Sequence, residues 1–176
     1  MNGYLRIAVI SCSLLAGIVQ AAEPVVPAKD QDVLFRSSDP QLDANKQVVY
    51  HILKDLILAG HWELAEKYMS DRYIQHNPNL NSGREATSMM VKPQPIPEKL
   101  QGKIVAVTAE KDLVVVATAM RVADPTTPGK SYTTTQFDMW RIKDGKADEH
   151  WDSALLGPPL NLDAPRFAPP PSAPKN

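Results

Sequence analysis

SYTTTQFDMWRIKDGKADEHWDSALL, residues Ser131 to Leu156, decides the fold of this chain. Two segments rich in Thr, Tyr, Phe, Trp and Ile flank Asp144-Gly145. Asp-Gly between such runs predicts an antiparallel hairpin, because both central turn residues must tolerate φ > 0. On the second strand His150 and Asp152 stand two positions apart, so a pleat of period two puts an imidazole and a carboxylate on one face. Whether Asp138 joins them depends on the turn. If Lys143 pairs with Lys146, Asp138 falls opposite Trp151 and points away; one bulged residue reverses the parity and sets Asp138 opposite Asp152. The local pattern leaves both registers open.

Upstream, residues 103–109 and 113–122 are β-branched strands with Glu110-Lys111-Asp112 as their turn. The run Val114-Val115-Val116 suggests a central strand covered on both faces. DPTTPG, residues 124–129, links this pair to the hairpin. Tyr73 to His76 reads as a short extended piece ended by the turn Asn77-Pro78, and residues 84–91 as a helix stopped by Pro93, Pro95 and Pro97.

Leu42 to Ala59 carries the stripe Val48, Val49, Ile52, Leu53, Leu56, Ile57 and predicts a helix, with Asp39 or Asp43 as cap and Gly60 as stop. Trp62 to Met69 predicts a second, shorter helix that offers Trp62, Leu64, Ala65 and Tyr68 to the same core. His51 and His61 read as solvated. Helices followed by paired strands make an α+β fold, with the helices on one face of a curved antiparallel sheet.

The ends differ in character. Residues 1–21 read as a signal peptide: Arg6 in a polar start, an apolar run from Ile7 to Val19, and Val19-Gln20-Ala21 as a cleavage site. The expectation is export to a periplasmic or extracellular location, with no stable membrane span after cleavage; an uncleaved anchor is the alternative. Cys12, the one cysteine, lies inside that segment, so the mature chain forms no disulfide. Residues 22–41 read as a linker or an arm of low order, 42–157 as the domain, and 158–176 as a proline-rich disordered tail. A net charge of −1 gives no electrostatic footprint for nucleic acid.

HNP…SGRE, TTTQFDMWRIKDGK and EHWD together resemble the SnoaL-like polyketide cyclases of the nuclear transport factor 2-like superfamily, which also contains ketosteroid isomerase and scytalone dehydratase. The resemblance spans about residues 42–157. It implies a cone-shaped partial barrel around a long first helix, an apolar pocket, Asp138 facing that pocket, and homodimerisation through the open face of the sheet. It also implies departures from the isomerase. Asn77 stands where that enzyme has its general-base aspartate, and Leu53 where it has its oxyanion tyrosine, so the isomerase mechanism does not carry over. A base must come from His76, His150, Asp138 or Asp152.

Those four are the catalytic candidates; Asn77, Tyr73, Tyr132 and Trp140 are the candidates for substrate binding. A carboxylate beside an imidazole in an apolar hollow suits cofactor-free proton transfer at carbon α to a carbonyl, leading to aldol cyclisation, isomerisation or dehydration. The competing expectation is a module that binds a small apolar ligand or dimerises without chemistry. A metal centre built from His76, His150 and a carboxylate has no close-spaced ligand motif behind it. The expectation is therefore no metal and no cofactor.

Overall fold

The computed structural model describes residues 23–87 and 92–157. The expected signal peptide, the tail and the end of the helix read at 84–91 lie outside them.

Helix α1 (Pro40–His51) starts at Asp39, whose carboxylate accepts from the backbone N–H groups of Gln41 and Leu42, as an N-cap does. It runs on through a π-helical stretch, Ile52–Leu58, in which the Ala59 N–H reaches back five residues to Lys54 O. Gly60, at φ 77°, ends it with bonds from the N–H groups of Gly60 and His61 to Leu56 O and Asp55 O. The predicted stripe is the buried face: Val49, Ile52, Leu53 and Leu56 are in the core, with Val48 and Ile57 packed against it. The second helix is a single 3-10 turn, Trp62–Leu64, followed by α2 (Ala65–Tyr68); α3 is Arg84–Thr87.

The strands are β1 (Met69–Gln75), β2 (Ile104–Glu110), β3 (Leu113–Ala123), β4 (Ser131–Lys143) and β5 (Lys146–Asp152). They form one five-stranded sheet in the order β1-β5-β4-β3-β2. Four strands pair antiparallel, as expected; β1 lies parallel to β5, so the sheet is mixed. The free edge of β5 is taken up by the strand that leaves the helical layer, and the His76 N–H continues its pairing onto His150 O at 2.9 Å. Among the described residues, α1 packs across one face of β2 to β5. That corrects the reading of Val114-Val115-Val116: Val114 and Val116 are fully buried while Val115, on the outer face, is half-buried.

The β4–β5 hairpin has the two-residue turn Asp144-Gly145, with φ 49° and 73° and Lys143 opposite Lys146. The register shifts once, between Arg141 opposite Glu149 and Ile142 opposite Ala147, so Asp148 is the extra residue. Beyond the bulge Trp140 faces His150 and Asp138 faces Asp152. The bulged register is the one this chain adopts.

Residues 23–39 lie on the domain as an arm. Ala28 N–H bonds Ile104 O at 2.8 Å, the Gln31 amide bridges Gly102 O and the Ile104 N–H, and Val25 N–H reaches Thr133 Oγ1 at 2.8 Å. Phe35, fully buried against the edge of Tyr50, pins the arm to the core, where low order was expected.

Candidate functional site

Because the bulge turns β4 and β5 into phase, Asp138 and Trp140 share the inner face with His150 and Asp152; in parallel register, Gln75 of β1 lies beside His150. The His150 ring packs against two aromatic rings, Trp140 at 4.8 Å and Tyr73 at 6.4 Å between centroids. Its residue is only 7 % exposed. Nδ1 lies 2.9 Å from Gln75 Oε1 and Nε2 lies 3.3 Å from Asp138 Oδ1. Gln75 thus anchors Nδ1, and the ring presents Nε2 to Asp138.

Asp138 is the reachable member of the pair, with its side chain 19 % exposed. Its Oδ1 takes both His150 and, at 3.4 Å, the Gln136 side-chain amide, so Oδ2 remains for a ligand. Asp152 is held at both oxygens: Asn77 Nδ2 donates to Oδ2 at 2.6 Å and the Ala154 N–H to Oδ1 at 2.9 Å. Asn79 reinforces this clip, donating to Leu155 O and accepting from the Gly157 N–H.

Tyr73 accepts the Trp140 indole N–H at 3.0 Å. Burial raises its phenol pKa well above the ordinary value, and the charges of Asp138 and Asp152 push the same way. The hydroxyl therefore stays protonated and keeps its own hydrogen to donate.

The structure gathers six of the eight candidates here: Asp138, His150, Asp152, Asn77, Tyr73 and Trp140. Asn77 and Trp140 take part as supports, since the Asn77 amide is spent on Asp152 and the Trp140 ring is buried in the core. His76 does not join. It follows Gln75 by one position and so points to the outer face, stacked on Trp151 at 4.7 Å and bonded to Glu149 at 3.3 Å. The metal set that relied on His76 fails with it. Tyr132 shares the inner face of β4 but stands six positions from Asp138, about 20 Å along an extended strand.

Gln75 and Gln136 were missed, although each lies within two positions of a candidate; a neutral amide gives no signal until its partner is known. The two histidines read as solvated are both bonded. His51 Nδ1 meets buried Asp55 at 2.9 Å, and His61 bridges Glu63 and Gln94 O.

The chain matches the SnoaL-like domain family over residues 52–150. Among solved structures, it is similar to a SnoaL-like protein of Jannaschia sp. CCS1 provisionally described as a polyketide cyclase: 18 % identity over 67 % of this chain and 91 % of that one, TM-score 0.46. A protein of Acidithiobacillus ferrooxidans with the same provisional description is 15 % identical over 66 % of this chain and 89 % of its own, TM-score 0.45. An NTF2-like protein of unknown function from Burkholderia pseudomallei is 16 % identical over 62 % and 88 %, TM-score 0.44. No curated protein matches.

Proposed function

This chain belongs to the SnoaL-like domain family, and from that premise we propose that it is an exported protein that binds a small apolar carbonyl compound on the inner face of its sheet and moves a proton there without a cofactor. The observation that carries the proposal is the pair of a buried imidazole and a reachable carboxylate, 3.3 Å apart, at the edge of an aromatic core. Asp138 Oδ2 takes the proton from the carbon α to the carbonyl, and the electron pair of that C–H bond moves into the enolate. Tyr73, whose hydroxyl keeps a free hydrogen, donates to the enolate oxygen. His150, held by Gln75, orients Asp138 through Nε2, and Asp138 gives back the proton that it took. Reprotonation at another carbon completes an isomerisation, attack on a second carbonyl an aldol closure, and loss of water a dehydration.

The second reading, a binding module without turnover, is favoured by the full satisfaction of Asp152 and His150, as a purely structural network would have it. Exchange of the α-protons of α-tetralone in heavy water separates the two. The parent should accelerate it, with Asp138→Asn and His150→Gln each reducing the rate at least about 100-fold while both variants still retain α-tetralone. A parent that retains the ketone and does not accelerate exchange is a carrier, and the catalytic reading falls. Export belongs to the same proposal, and intact-mass measurement of protein from the native host should find Ala22 at the N-terminus. Among the described residues no helix is long and apolar enough to cross a membrane.

A further inference from the structure

Asp138, His150 and Asp152 each offer one donor atom, and those three atoms lie within 4.8 Å of one another. First-row divalent ions hold imidazole nitrogen and carboxylate oxygen at about 2.0–2.2 Å, which sets adjacent donors about 3 Å apart and opposite donors about 4.2 Å apart. The 3.3 Å between His150 Nε2 and Asp138 Oδ1 is the spacing of adjacent donors. Asp152 offers the third donor, within 4.8 Å of the other two.

A second observation is independent of that spacing. Gln75 anchors Nδ1 of His150, so the ring aims Nε2 directly at a carboxylate oxygen of Asp138. At 3.3 Å that nitrogen and oxygen are bridged by a proton, and a metal ion can take the proton's place. The ring is hemmed in, since its side chain is 8 % exposed and packs against Trp140 and Tyr73. The outer bonds are those that orient metal ligands elsewhere: a carbonyl on the far imidazole nitrogen, Gln136 on Asp138, and Asn77 with the Ala154 N–H on Asp152.

We propose that Asp138, His150 and Asp152 bind one divalent transition-metal ion of the zinc, cobalt or manganese class. One nitrogen and two carboxylate oxygens suit these borderline ions, and the two negative charges balance the ion. The inference goes beyond the proton-transfer reading, because the ion draws on the charge of the same Asp138 carboxylate that serves there as the base. Metal loading therefore silences exchange, and chelation restores it.

The test uses the untagged mature chain, stripped with a chelator and titrated calorimetrically with Zn2+ and Co2+. One ion should bind per chain, and bound Co2+ should show a visible absorption band. His150→Gln and Asp152→Asn should each weaken binding at least tenfold, and Gln75→Leu between about tenfold and a hundredfold, with circular dichroism confirming that each variant is folded. If the parent shows no saturable 1:1 binding, or the folded variants bind as the parent does, the site is overturned. A stripped parent that exchanges α-tetralone but takes up no ion ends the metal proposal and leaves proton transfer standing. A parent that takes up one ion, while its stripped form neither retains nor exchanges the ketone, does the reverse.

Discussion

Asp148 is the residue on which the geometry of the site turns. As the bulged residue it is buried on the outer side, where Ser70 Oγ and Arg72 Nε donate to one carboxylate oxygen at 2.8 Å each and Arg72 Nη2 closes on the other. Arg72 first, and Ser70 after it, hold its carboxyl down at about 2. A depressed carboxylate pKa stabilises the fold fully above the unfolded value near 4, and the contribution fades as pH falls toward 2. Arg72 is 55 % exposed, so water screens the pair. We expect Asp148→Asn to cost about 1–2 kcal/mol at pH 7, with the gap between parent and variant in urea denaturation closing between about pH 4 and pH 2. A gap that stays constant to pH 2 would show that the charge contributes nothing. His150, Asp152 and the two possible facings of Asp138 were legible from strand period alone; that His76 faces outward was not, because the Tyr73–His76 segment carried no register until it paired with β5.

At the scale of elements, caps and turns are where local chemistry acts alone. Asp39→Ala leaves the first N–H groups of α1 without their acceptor and should cost about 1 kcal/mol in chemical denaturation. Gly145→Ala forces a Cβ into φ 73° and should cost about as much; nothing lies near enough to clash, so the loss is conformational. The π-helical stretch is a different matter. Buried Asp55 takes His51 and, at 3.0 Å, the Tyr68 hydroxyl on one oxygen, and burial together with Asp55 raises that hydroxyl to about 12. Tyr68→Phe removes one of the donors to a buried carboxylate and should lower stability by about 1–3 kcal/mol, with no effect on the six inner-face residues. A variant as stable as the parent would show that the Tyr68 bond contributes nothing. The apolar stripe, the caps and the turn were all readable in the sequence. The widened π-helical stretch was not, because the burial stripe passes through it unbroken.

The molecule as a whole presents two unlike faces. The inner face packs on α1 and holds the site. The outer face carries Trp151, Met139, half-buried Val115 and Phe137, 55 % exposed, beside the charges of Arg72, Arg141 and Glu149. An aromatic centre with a charged rim is the surface on which a second copy would pair. We predict a dimer mass by light scattering of the mature chain at micromolar concentration, and a monomer for Phe137→Glu; a monomeric parent ends that expectation. Strand period, turn residues, helix caps and the apolar stripe are local properties, so the sequence by itself determined the α+β class, nearly all of the elements and the shared face of His150 and Asp152. Which face Asp138 occupies was decided only by the tertiary structure. One extra residue inverts the parity of a strand, and what holds that residue in place, Arg72 and Ser70, lies 76 and 78 positions away along the chain. No local pattern encodes a contact over that distance; only the packing of β1 against β5 creates it.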